Sequence, residues 1–175
     1  MKKLFFVAVS LLFAVTVQAA DVKIGYVDLN EAVNTSDEGK KAISVLKGIV
    51  TSKEAVIESK RGELKQLEEE IAKQASILNP DALKEKKNTR EKLVRDYQRM
   101  LKDSEDEVEK KRADLMNNIL KKISKVVTKV GEEEGYTVIL ERGGSGILYI
   151  PEEANLTKKV ITKFNEAVKA GEFNQ

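Results

Sequence analysis

The sequence predicts an α+β fold, mostly α, in which a small β-rich oligomerisation head carries a long antiparallel helical-hairpin, coiled-coil arm. Three observations predict it. Charged residues make up 34% of the 175-residue chain, aromatics only 5%, and there are two prolines, the composition of long solvated helices. Two charged runs with apolar residues at alternating three- and four-residue spacing flank Asn79-Pro80-Asp81. Strand-like segments occur only near the two ends of the chain.

The first residues read as a targeting segment. Lys2 and Lys3 give a basic start, Leu4 to Val17 form a mainly apolar run, and Val17-Gln18-Ala19 ends it with small residues at the cleavage positions. The run is shorter than the roughly 20 apolar residues that a membrane-spanning helix needs. A signal peptide over 1–19 is the expectation, with cleavage after Ala20 the alternative, and export to an oxidising compartment is expected; the periplasm is what the family resemblance below implies. With no cysteine, neither a lipid-modified cysteine nor a disulfide framework is available. Removal of the signal takes two lysines and no acid, leaving 29 basic and 29 acidic residues. The mature chain is thus formally neutral, and nucleic acid is not an expected partner.

"VKIGYVDLNEA", from Val22 to Ala32, predicts a short strand followed by a helix capped by Asn30 or Asn34. A long helix is expected from near Asp37 to Leu78. Its seam comprises Ile43, Leu46, Val50, Ile57, Leu64, Leu67, Ile71 and Leu78, interrupted by Lys53, Lys60 and Gln74. Ala42, Ile49 and Val56 broaden the stripe at its start, so that end joins a body. Proline disfavours helix in the residue before it and suits the first turn of a new one, so Asn79 caps a second helix at the arm's tip, 79–81. The second seam runs through Val94, Tyr97, Leu101, Val108 and Leu115, with Ser104 and Lys111 as polar interruptions. Beyond Leu115 the apolar face widens through Met116, Ile119, Leu120, Ile123, Val126, Val127 and Val130. An antiparallel hairpin over 37–134 brings the two wide ends together. At about 1.5 Å per residue the arm reaches some 60 to 80 Å, with Gly48 and Gly62 weakening it.

After Gly135 the pattern changes to "YTVILER", a glycine loop over Gly143 to Gly146, and "ILYI", which together predict a β-hairpin. Pro151 ends it, and Asn155 or Thr157 caps a last helix with Val160, Ile161, Phe164 and Val168 on one face. Residues 20–36 and 135–175 then form the head. So few residues cannot close their own core, so the head is expected to oligomerise through Val22, Ile24, Val138, Leu140, Leu148 and Ile150.

No histidine or cysteine is present, which removes the commonest general base, thiol nucleophiles and most zinc patterns. The glycine loop lacks a lysine and leads into a strand signal, so it is not a phosphate cradle. No catalytic residue, metal site or cofactor is expected, and the protein does not read as an enzyme. Glutamate runs such as 68–70 and 132–134 read as solvated faces. Charge is nevertheless uneven along the arm. From Lys73 to Lys102 nine basic residues face four acids, whereas from Asp103 to Asp114 six acids face three bases. Lys84, Lys86, Lys87, Arg90, Lys92, Arg95 and Arg99 make a basic tip that would meet clients or anionic surfaces.

Taken together, "KIGYVDLNEAV" at the start and "GYTVILERGGSGILYIPEEANLTKKVITKFN" at the end, with a charged hairpin between, resemble the Skp/OmpH family of periplasmic chaperones. The resemblance covers essentially all of the mature chain. It implies a homotrimer whose β-rich head carries three arms around a cavity. It further implies a holdase that binds unfolded outer-membrane β-barrel proteins without ATP and passes them to the assembly machinery. The best-known members are strongly basic, whereas this mature chain is neutral. Transient contact with an anionic membrane or lipopolysaccharide therefore rests on the tip cluster. A structural coiled-coil spacer or adaptor is the alternative reading.

Overall fold

The computed structural model describes residues 22–144 and 146–173, so the expected signal peptide lies outside the described residues. The chain opens with β1 (Ile24–Val27), passes through the short α1 (Leu29–Thr35), then runs out along α2 (Asp37–Gln74) and back along α3 (Pro80–Glu134). β2 (Val138–Glu141) and α4 (Thr157–Lys169) complete it.

Each helix start has a local cause. Asp28, rather than Asn30 or Asn34, caps α1 by accepting from the Glu31 backbone N–H at 2.8 Å, because the helix begins directly after β1. Ser36 separates α1 from α2, accepting from Gly39 N–H at 3.2 Å and donating to the Val33 carbonyl at 3.1 Å. α2 stops at Gln74, four residues before the expected end, and residues 75–78 form a turn in which Ile77 and Leu78 N–H both donate to the Gln74 carbonyl. Asn79 caps α3 as expected, its Oδ1 accepting from Ala82 N–H at 2.7 Å with Pro80 in the first turn. Gly135, at φ 69°, ends α3 in the left-handed conformation that glycine adopts without Cβ strain.

The arm follows the expected hairpin. Seam positions of α2 from Leu46 to Gln74, and Leu78 in the turn beyond it, are all half-buried, including the polar Lys53, Lys60 and Gln74, which shows that the seven-residue period holds through its interruptions. Ile43 and Val56 lie exposed. On α3 the seam departs from the expected one at Leu101, which is exposed while Met100 turns half inward. The inward positions Tyr97, Met100, Ser104 and Val108 are spaced three, four and four, a step that lets a straight helix keep facing its partner. Between residues 43 and 118 only Ser104 is fully buried.

The core lies where the arm meets the head. Ala42, Ile119, Ile123, Val126 and Val130 of the long helices pack with Val27, Val33, Leu156, Val160 and Phe164. α3 is 55 residues against 38 for α2, so it continues past the start of α2 and returns the chain to the level where β1 began. β2 therefore runs parallel to β1, with Ile24 opposite Val138 and Tyr26 opposite Leu140. The expected hairpin is corrected here. Residues 147–150 form no strand, and β2 pairs instead with the remote β1, a register that only the long helical crossover makes reachable. The other side of β1 is taken by Asn155 and Leu156, whose N–H donates to the Tyr26 carbonyl at 2.8 Å.

Candidate functional site

Two regions carry the residues that the sequence singled out. At the tip, α2 and α3 lie antiparallel, so the basic residues of α3 face acids of α2 that are remote in sequence. Lys86 binds Glu70 at 3.0 Å and Arg90 binds Glu68 at 2.7 Å across the hairpin. Arg99 binds Asp96 at 2.8 Å, and Arg95 approaches Glu91 at 3.9 Å, both along α3. Lys84, Lys87 and Lys92 are exposed and make no ion pair among the described residues. The count from Lys73 to Lys102 overstated the tip's field, because it left out Glu68 and Glu70 on the facing helix. From Arg61 to Lys102 the hairpin end holds eleven basic residues and eight acids. Ile77 adds an exposed apolar side chain at the turn. Exposed pairs of this kind stabilise little and leave the lysines free to meet an anion.

The head presents an unpaired sheet edge. Among the described residues β2 has no neighbour on its side away from β1. Val22, Ile24 and Val138 are exposed, and Leu140 and Ile150 half-buried. Leu148 is fully exposed and Tyr149 nearly so, at 102% and 84%. Aligned backbone groups beside bare apolar side chains form a template for another strand. Of the six head residues expected to associate, the structure pairs Ile24 with Val138 in register, whereas Leu148 lies apart from the sheet.

Several groups below this edge were not legible in the sequence. Tyr26 is buried, and its hydroxyl donates to Glu152 Oε2 at 2.9 Å while Asn155 Nδ2 donates to Oε1 at 2.7 Å. Asn155 first and Tyr26 second hold the Glu152 carboxyl below its ordinary range, while burial and Glu152 push the Tyr26 phenol up. This knot fixes Asn155 against β1. Glu133 and Glu134 are not simply a solvated run. They accept from Lys163 at 2.8 Å and Lys159 at 2.7 Å, bonds that lower both carboxyls and raise both lysines. No group of histidine, cysteine, aspartate or glutamate suited to a metal occurs among the described residues. No helix of the described residues is long and apolar enough to cross a membrane.

The family model described as outer membrane protein (OmpH-like) matches residues 23–164. The chain is also similar to the crystal structure of a candidate outer membrane chaperone (OmpH-like) from Caulobacter crescentus CB15. The two share 19% identity at a TM-score of 0.78, over 86% of this chain and 88% of that one. At that identity the likeness shows the fold. No curated protein sequence matches.

Proposed function

We propose, from the premise that this chain belongs to the OmpH-like family of outer membrane proteins, that it is a periplasmic chaperone that holds unfolded outer-membrane β-barrel proteins without ATP. In this reading residues 1–19 direct export and are removed, and three copies join through their heads. The arms surround a client and keep it from aggregating. The protein acts by binding and not as an enzyme, with no cofactor.

The observation that carries the reading is the arm. Two helices of 38 and 55 residues project from a small core, with a seam only half-buried along most of its length. Such an arm spends its sequence on reach and on exposed, weakly interacting surface. A nascent barrel strand alternates apolar and polar residues and aggregates in water, and many weak contacts from several arms hold it without a fixed site. The open edge of β2, and separately the bare side chains of Leu148 and Tyr149, support association of heads. Lys84, Lys87 and Lys92 at the tip support first contact with acidic clients, an anionic membrane or lipopolysaccharide.

Light scattering from a urea-unfolded barrel protein diluted into buffer tests the reading. Mature protein, with trimer in molar excess over the client, should suppress the scattering without nucleotide. Scattering equal to that of the client alone would overturn it and leave a coiled-coil spacer or adaptor.

A further inference from the structure

Where the arm enters the head, two adjoining hollows of about 340 and 500 Å³ form one groove, and Asn118, Lys122 and Phe173 line both. Phe173 stands where they meet. On one side of the groove are the roots of α2 and α3, with Ala42, Val45, Leu115 and Ile119; on the other is the end of α4, with Val168. Close packing is what makes a protein interior resist motion, so open space here leaves the arm's root room to tilt against α4.

Local chemistry carries Phe173 to this place. α4 ends at Lys169, and Gly171, at φ 76°, takes the left-handed conformation. Gly171 N–H donates to the Val168 carbonyl and Glu172 N–H to the Ala167 carbonyl, both at 3.1 Å, which closes the helix and turns the chain back. The Phe173 ring then lies 6.0 Å from that of Phe164, tilted by 54°, and its centre is 5.8 Å from Lys122 Nζ. Phe164 is fully buried, so the ring is anchored in the head on one side and against α3 on the other. Lys122 in turn pairs with Glu38 in the first turn of α2. Their side chains are only 21% and 24% exposed, and charges so withdrawn from water are costly to separate. One aromatic contact therefore reaches both helices of the arm. Deeper in the head, Lys159 and Lys163 join α4 to Glu134 and Glu133. Nearer the arm, Asp37 joins α2 to α4, its N–H donating to Asn165 at 3.0 Å and its carboxylate pairing with Lys169 at 3.4 Å. At that level the ties to α3 come from the tail, Phe173 on Lys122 and Glu172 to Lys129 at 3.7 Å.

We propose that the C-terminal tail, residues 170–173, is a latch that sets the angle at which the arm leaves the head. Seated, Phe173 wedges the groove and holds the end of α4 against α3. Released, it lets the two hollows merge, and the arm's root tilts into the freed space. The seat is shallow enough to open, because the ring is half-buried and Glu172 is exposed. α4 does not unravel with it, being closed by the Ala170 N–H bond to the Glu166 carbonyl at 2.9 Å. Length amplifies the movement. From Leu115 to Pro80 α3 rises about 50 Å, so a tilt of about 10° carries the tip about 9 Å. The use of the latch rests on the holdase reading, in which this angle sets the space that the arms leave for a client.

The chain has no cysteine, so cysteines introduced at Glu153 in the head and Gln98 in the arm, both exposed, take dyes selectively. Single-molecule energy transfer, with labelled mature protein mixed into an excess of unlabelled protein, reads the head-to-arm distance within one chain. Phe173→Ala should shift or broaden that distance by about 4 Å or more, which a tilt of about 10° gives over the roughly 25 Å from Leu115 to Gln98. Gly171→Val, which strains the tail's turn and leaves the core untouched, should do the same. Phe173→Leu, which keeps apolar bulk in the groove, should restore most of the wild-type distribution. Measured without denaturant and at wild-type helix content by circular dichroism, these distances do not move through lost stability alone. A wild-type distribution in both Phe173→Ala and Gly171→Val would overturn the latch. So would unfolding of both, which would make the tail part of the core. A moved arm in a protein that never suppresses barrel aggregation would sink only the holdase. Suppressed aggregation with an unmoved arm would sink only the latch.

Discussion

A methyl group placed on Gly39 would lie 1.6 Å from the Val33 carbonyl oxygen, backbone that has no room to retreat between α1 and α2. Gly39→Ala should therefore destabilise the protein by about 3 kcal/mol, the upper range for overpacking, as read by urea unfolding. An unchanged midpoint would show that α1 shifts freely against α2. The head's carboxylates set a pH dependence as well. Glu133, Glu134 and Glu152 have lowered pKa values in the fold, so their contribution is complete above the ordinary glutamate range and is lost as pH falls through the lowered values. Lys159 and Lys163 are raised, so theirs is complete below the ordinary lysine range and is lost as pH climbs through the raised values. Thermal melts should show a plateau between these limits. Substituting glutamine at Glu133, Glu134 and Glu152 should flatten the acid side, and an acid limb as steep as wild type would place its cause elsewhere.

Along the arm, Gly48 and Gly62 occupy helical positions where an added Cβ would meet nothing within 4 Å. Steric need does not place them there. Each weakens the helix by about 1 kcal/mol relative to alanine. The double substitution Gly48→Ala, Gly62→Ala should raise hydrogen-exchange protection in the middle of α2 without altering the head. If pliability serves capture, the stiffer arm should take up an unfolded barrel protein more slowly while its final suppression of aggregation is retained. Equal capture rates with increased protection would show that the arm's stiffness is irrelevant to its task. Lys53 bonds to Glu107 and Lys86 to Glu70 across the two helices, exposed pairs that add little beside the half-buried seam.

For the molecule as a whole, association should reside in the head. Leu148 touches little within its own chain, so replacing it cannot disturb the folded protomer. Leu148→Asp should lower the mass seen by multi-angle light scattering from three chains towards one while leaving the far-ultraviolet spectrum unchanged. A monomeric wild type would refute the trimer. A trimeric Leu148→Asp would place the interface elsewhere, with Val138→Asp at the open edge of β2 as the next test. Removing the outer hairpin from Gly62 to Gln98 and closing it with a short turn should leave a folded oligomer that no longer holds clients. This follows because every fully buried residue except Ser104 lies outside the span from 43 to 118.

How much could be read without the structure follows from the range of each interaction. The two long helices, the turn at Asn79-Pro80 and the helix stop at Gly135 are written in neighbouring residues, because helical hydrogen bonds and caps span only a few positions. The half-buried seam, polar interruptions included, was likewise legible from its period. Strand pairing was not. "ILYI" has the composition of a strand, but composition names no partner, and β2 found its partner in β1 across 114 positions of sequence. The tip's charge was misjudged for the same reason, since Glu68 and Glu70 neutralise Lys86 and Arg90 only once the chain has doubled back. Glu38 and Lys122, 84 positions apart, meet only at the junction of arm and head. The sequence by itself determined the helices and their amphipathic faces, because those depend on local periodicity. Tertiary structure alone decided the sheet, the charge pairing and the groove, because each depends on which remote residues the hairpin returns to one place.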